Sequence, residues 1–310
     1  MYQRILEQAK NLNDMVPSLR SETPDAEAAR IEALNASAGA GGSQDWEAAI
    51  VHLRRAARFG SRLALAELAA LSRDWEAAHR LVAGEEVPPS CADLVSAPID
   101  LGQWLEPPRC MAISENPRIV GVAEIADADL CEWVITRSRG KLSRAPTGDR
   151  RTGERDIYSS GRTNTHCDFR GAEADLVLAT LRARIAALTG TQLAGFESVH
   201  VFHYGVGEEF RPHLDATLDS GTADYPVRYA AGQQRVLTFL LALNDDFEGG
   251  ETDFPTIGLR WKPRRGRGLF FWNVEPDGAI DRRTIHAGRP VTRGEKWMLS
   301  QWIAGHRPHD

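Results

Sequence analysis

Three side chains in this sequence have the types and spacing to hold a metal ion. His213 and Asp215 are separated by one residue, Leu214, and a third donor, His286, follows 71 residues after Asp215. In an extended chain, residues i and i+2 project from the same face. A strand through this segment therefore brings the imidazole and the carboxylate together while Leu214 turns away. Two imidazoles and one carboxylate make up the facial triad of non-haem Fe(II) sites, which leaves positions open for a cosubstrate and O2. A surface His and a surface Asp often fall at this spacing, so the reading depends on what accompanies them. Lys296, ten residues after His286, is the next piece. A strand there puts Lys296, Met298, Ser300 and Trp302 on one face. An ammonium aimed into an apolar barrel needs a counter-charge. The carboxylate of an anionic ligand would provide it; the alternative is an exposed strand lysine.

Strands must carry these groups, and the sequence supplies them. From Phe196 onward, β-like runs at 196–204, 235–243, 251–254, 268–272, 283–287 and 296–303 are punctuated by Gly, Pro, Asn and Asp, with no helices between them. That pattern points to a sandwich or barrel, not to βαβ units. Upstream, Ile119 and Val122 suggest a strand, 127–137 a helix, and Leu178, Leu181, Ile185 and Leu188 a longer helix. The first 85 residues are rich in Ala, Leu and Glu and read as helices. Asp45-Trp46-Glu47-Ala48-Ala49 returns as Asp74-Trp75-Glu76-Ala77-Ala78, 29 residues later, each copy opening a helix with an aspartate cap. Ile50, Leu53 and Ala57, then Leu65, Leu68 and Leu71, mark the packed faces. Prolines 88, 89, 98, 107 and 108 mark a linker.

Composition excludes several functions. Of 310 residues, 42% are apolar and 26% charged, near the globular average. With 37 Lys and Arg against 43 Asp and Glu, the net charge is −6, so there is no basic footprint for nucleic acid. No apolar run reaches the roughly 18 residues of a membrane span. Cys91, Cys110, Cys131 and Cys167 are widely spaced without a CxxC, which argues against a disulfide framework or a thiolate zinc site. Residues 1–15 lack the apolar core of a signal peptide. A cytoplasmic location is the expectation.

Read in order, HYGVGEEFRPHLD, GQQRVLTFLLALND, FEGGETDFP, GRGLFFWNVEPDGAIDRRTIHAGRPV and GEKWMLSQWI resemble the Fe(II)/2-oxoglutarate-dependent dioxygenases of the prolyl 4-hydroxylase type. NPRIVGVAEIADADLCEWVI and GRTN extend the resemblance to about residues 107–310. The repeat resembles a tetratricopeptide or Sel1-like array. Together these resemblances imply an α+β chain: a double-stranded β-helix (jelly-roll, cupin-like) catalytic domain at 107–310, preceded by a small all-α helical-repeat domain at 1–85 and a linker at 86–106. They imply that His213, Asp215 and His286 hold Fe(II), and that Lys296, Thr252 and Tyr204 hold 2-oxoglutarate. Arg235, Trp302, Arg162, Asn164 and Phe210 fall on the substrate side. Phe210 stands where these enzymes often carry tyrosine, and Asn164 where they often carry serine, so the departures concern the substrate and not the metal.

The activity implied is hydroxylation of an unactivated C–H bond with Fe(II), 2-oxoglutarate and O2, and ascorbate as a candidate accessory, releasing succinate and CO2. A halogenating relative would lack the carboxylate of Asp215. The first target is a peptidyl residue, proline foremost; the alternative is a free amino acid or small-molecule natural product. The expected partner is a peptide or protein, recruited by the helical repeats, with no nucleic acid and no membrane. The plainer reading of the helical region is a cap that covers one edge of the next domain. Two rivals of other classes are an inert barrel whose repeats carry a protein-interaction role, and a zinc hydrolase with the same metal ligands. His166, His200 and His203 read as strand histidines with hydrogen-bond partners, and His306 and His309 as solvated.

Overall fold

The structure, a computed structural model, describes residues 23–40, 42–85, 93–146, 158–216 and 234–305. Residues 1–15, Cys91, His306 and His309 lie outside them. The chain forms two compact units. One takes the residues up to 106 together with 136–140 and 170–184; the other takes the remainder.

The first unit contains helices α1 (Pro24–Ala38), α2 (Trp46–Arg58), α3 (Arg62–Leu71), α4 (Trp75–Val82) and α5 (Leu101–Leu105). Each opens on a polar cap, Thr23, Asp45, Ser61, Asp74 or Asp100, whose side chain accepts the N–H three residues on. Both aspartates of the repeated pentapeptide are therefore caps. Ala26, Ala29 and Ala33 are buried in α1, as are Ala49, Ile50, Leu53 and Ala56 in α2, so small side chains let these helices approach closely. The buried stripe of α2 runs through Ala56, and the expected Ala57 is only half-buried. The stretch read as a linker carries α5, whose Trp104 is buried and donates its indole N–H to the Leu71 carbonyl at 2.8 Å. A buried ion pair, Arg30 with Glu67 at 3.2 Å, lies in the same unit. Glu67 also accepts the Leu176 N–H at 2.7 Å, at the start of the helix Leu176–Thr189. Burial pushes the Glu67 carboxyl up to about 7, against the pull of Arg30.

The second unit is built from two antiparallel sheets. The larger has eight strands, in the order β1 (Cys110–Glu115), β2 (Arg118–Val122), β11 (Gly268–Trp272), β7 (Arg235–Ala242), β14 (Lys296–Ala304), β5 (Val199–Tyr204), β4 (Thr165–Phe169) and β3 (Ser143–Arg144). β7 is the central apolar run, buried from Val236 to Ala242 on both faces. The smaller sheet has the order β10 (Leu259–Trp261), β9 (Thr252–Phe254), β12 (His286–Gly288) and β6 (Phe210–His213). β8 (Glu248–Gly249) pairs with β13 (Val291–Arg293) beside them. Between the sheets lies a core that includes Phe202, Leu240, Phe254, Phe271 and Met298. Two facing sheets with crossovers between non-consecutive strands answer the sandwich or barrel that the short-strand pattern predicts, in the double-stranded β-helix form that the resemblance implies.

Candidate metal and cosubstrate site

Strand register brings the site together. In the smaller sheet His213 and His286 are direct cross-strand partners, with ring centroids 4.3 Å apart. Asp215 is not in the strand: β6 ends at His213, and the chain bends at Asp215. The convergence attributed to strand alternation is therefore produced by a turn. The carboxylate oxygens each lie 3.6 Å from one Nε2, Oδ1 from His213 and Oδ2 from His286.

The remaining ring nitrogens fix the tautomers. Nδ1 of His213 lies 2.8 Å from the Arg211 carbonyl, and Nδ1 of His286 lies 3.0 Å from that of Thr284. A carbonyl only accepts, so both Nδ1 atoms carry a proton and both Nε2 atoms are turned to the carboxylate. Burial, with His286 adding to it, lowers His213 to about 3, which leaves that imidazole neutral. Burial alone would raise Asp215, but the flanking imidazoles, Arg235 and a hydroxyl hold it below the usual range, and it is ionised. That hydroxyl belongs to Thr238, which donates to Asp215 Oδ2 at 2.7 Å and accepts from Asn273 Nδ2 at 3.0 Å. Both residues are fully buried. Two imidazole nitrogens and one anionic oxygen, oriented from behind, are a donor set suited to a divalent metal.

The larger sheet faces this set with a second cross-strand pair, Lys296 opposite Tyr204. Lys296, Met298, Ser300 and Trp302 line one cavity with the three metal donors, Tyr204 and Thr252, as the alternation of β14 predicts. Lys296 is 2% exposed. It donates to the Gly250 carbonyl at 2.7 Å and lies 5.0 Å from the Tyr204 ring centre. Among the described residues no carboxylate is within ion-pairing distance of it. Burial lowers the ammonium to about 7, with only Glu251 opposing. Burial also raises the Tyr204 phenol to about 12, so it stays a donor. A buried cation and two hydroxyls facing a cavity fit one carboxylate of a small diacid.

The substrate-side residues cluster around aromatic rings. Arg162 is buried, with its guanidinium 4.9 Å from the Phe202 ring centre and 4.4 Å from that of Phe210. It donates to Asn164 Oδ1 at 3.2 Å and to the Pro146 carbonyl at 3.1 Å, so Asn164 braces the arginine. Phe210 stacks on His213 with centroids 3.5 Å apart. Arg235 lies 3.8 Å above Trp302 and pairs with both oxygens of Glu197 at 2.6 and 2.7 Å. Thr238, Asn273 and Glu197 carry no sequence signal of their own. Only their position in or beside strands already assigned to the site could have marked them: Thr238 lies in β7, Asn273 just after β11 and Glu197 just before β5.

This fold with this donor set and facing cation defines a 2-oxoglutarate and Fe(II) oxygenase. Residues 199–304 match the 2OG-Fe(II) oxygenase superfamily. The chain is 32% identical over 207 residues to Prolyl 4-hydroxylase 13 of Arabidopsis thaliana, covering 62% of this chain and 72% of that protein. It is 30% identical over 220 residues to Probable prolyl 4-hydroxylase 3 of the same plant, covering 65% of this chain and 72% of that protein. A viral collagen prolyl hydroxylase of Paramecium Bursaria Chlorella virus-1, solved as its 2OG complex, aligns with a TM-score of 0.46 at 24% identity, over 60% of this chain and 96% of that one. The chain belongs to the prolyl 4-hydroxylase family of 2OG-Fe(II) oxygenases, and is a hydroxylase that uses Fe(II) and 2-oxoglutarate.

Proposed function

We propose that this enzyme hydroxylates a peptidyl residue, proline first. The observation that carries the reading is the single cavity shared by His213, Asp215, His286, Lys296, Tyr204 and Thr252. In this reading the first three hold the metal. Bound Fe(II) with 2-oxoglutarate and O2 supplies the oxidation of an unactivated C–H bond, with release of succinate and CO2. Lys296, Tyr204 and Thr252 hold the distal carboxylate of the cosubstrate and fix which way its oxo-acid end points. Phe210 and Trp302 keep the reacting face apolar and exclude water. Arg162 and Arg235 offer guanidiniums to carbonyl oxygens of a bound backbone, Arg162 braced by Asn164 and Arg235 by Glu197.

The prolyl target is supported by the relatives named as prolyl 4-hydroxylases. The helical array recruits the peptide in this reading. Ile31 and Val51, 45% and 61% exposed on α1 and α2, offer an apolar contact. Substituting both by Ser is expected to raise the KM for peptide while leaving 2-oxoglutarate affinity unchanged; an unchanged KM removes the recruiting role.

An anaerobic titration with Fe(II) and 2-oxoglutarate, followed by the visible iron-to-keto-acid charge-transfer band, tests the core of the proposal. A saturable band lost in His213→Ala is expected. Proline-containing peptides are then screened for a mass gain of one oxygen. Oxygen gained only on a free amino acid would overturn the peptidyl target.

A further inference from the structure

A second group of two histidines and one aspartate lies on β4 and β5, away from the iron ligands. His166 and Asp168 alternate on β4 and so share a face. Asp168 is the direct cross-strand partner of His200 on β5. One ligand atom from each of the three lies within 4.8 Å of the other two. Asp168 Oδ1 is in direct contact with His200 Nδ1 and lies 3.5 Å from His166 Nδ1. The three side chains are 12–15% exposed, open enough for an ion to enter from solvent.

We propose that His166, Asp168 and His200 form a second site, for a divalent transition-metal ion of the Zn2+ class. Two imidazoles and a carboxylate suit Zn2+, and three protein ligands leave a position for water. Loading the site needs His200 Nδ1 without its proton, whereas in the ion-free arrangement an Nδ1–H faces the Asp168 carboxylate. In the other tautomer the proton sits on Nε2, which donates to Ser198 Oγ at 3.4 Å and leaves the Nδ1 lone pair for the ion. The two sites differ in support. The iron ligands have both Nδ1 atoms tied to backbone carbonyls and the carboxylate held by Thr238. The second site is shallower and has no such tie at His166, so it is the weaker and more labile of the two. Its place gives it a consequence. The His200 ring lies 4.6 Å from Trp302, a wall of the iron cavity, so an ion there stands one side chain from the substrate side.

Co2+, a spectroscopic substitute for Zn2+, tests this on the full chain by visible d–d absorption and equilibrium dialysis, independently of turnover. Wild type is expected to take up two ions per chain. His213→Ala is expected to retain one, and Asp168→Asn or His200→Gln one, the iron site then remaining. Asp168→Asn keeps the shape of the side chain, and circular dichroism checks its folding. Saturation of wild type at one ion with none left in His213→Ala overturns the proposal, as does a second ion that persists in Asp168→Asn. Neither result touches the iron reading, which fails only if His213→Ala loses nothing.

Discussion

At the scale of single residues, Lys296 sets how the site responds to pH. Its ammonium sits near 7 because burial opposes the charge, and a bound carboxylate would raise it again. Binding of 2-oxoglutarate above about pH 7 must then take up a proton, so affinity weakens as pH rises, by up to about tenfold per unit. Calorimetry in buffers of different ionisation enthalpy would read this as proton uptake that grows above neutrality. Lys296→Ala is expected to cost about 2–5 kcal/mol of 2-oxoglutarate binding while metal binding persists. Behind the metal ligands, Thr238→Val removes the donor to Asp215 Oδ2 in a nearly equal volume. Metal affinity should fall roughly 10- to 100-fold, measured by Mn2+ titration with 2-oxoglutarate absent. The metal donors and Lys296 were legible in the sequence because charged and imidazole side chains are conspicuous in a strand-rich region. Thr238 and Asn273 were not, since a threonine in an apolar strand usually only packs, and what gives it a role is a neighbour 23 residues away in sequence.

At the scale of elements, strand alternation accounts for Lys296, Met298, Ser300 and Trp302 sharing the cavity, and the sequence carried that information in full. It did not carry the end of β6. Nothing in the residues around Leu214 announces that β6 stops at His213 and that the chain bends at Asp215. The turn before β9 is more legible in its glycines than in their purpose. Gly250 has φ of +66°, and its carbonyl receives the Lys296 ammonium. A Cβ there would stand 2.9 Å from Phe247 Cε2 and 3.2 Å from Lys296 Cδ. Gly250→Ala combines left-handed backbone strain with a clash against the lysine stem. We expect a loss of roughly 1–3 kcal/mol in stability. Thermal unfolding would report that loss, and 2-oxoglutarate affinity should fall with it, whereas Mn2+ binding should be little changed. Weakened metal binding of the same size would mean that the turn supports the smaller sheet as a whole and not the lysine in particular.

At the scale of the whole molecule, the units do not follow the order of the chain. Helices up to residue 106 share a unit with 136–140 and 170–184, segments that sequence patterning assigned to the catalytic stretch. Helical periodicity identifies a helix but not which core it joins; that is decided by buried groups such as Glu67, which accepts the Leu176 N–H and pairs with Arg30. A fragment starting at residue 107 would lose Glu67 and Arg30 and leave the Leu176 N–H without its acceptor. Such a fragment should unfold at lower temperature than the full chain, so a change in its KM would not isolate a recruiting role. The same pair gives a pH signature within the intact chain. Because burial raises Glu67 to about 7 in the folded state, from an ordinary value of 4.5, the folded state prefers the protonated acid. The unfolded chain releases that proton first, so Glu67 subtracts stability as pH climbs from about 4.5 to 7, and the subtraction is complete above that range. Glu67→Gln keeps an acceptor for the Leu176 N–H and has no proton to lose. Between pH 5 and pH 8 the melting temperature of wild type should therefore fall relative to Glu67→Gln. A gap that stays constant with pH would mean that Arg30 already holds the carboxylate ionised at pH 5, and that the pair is a settled salt bridge instead of a strained one.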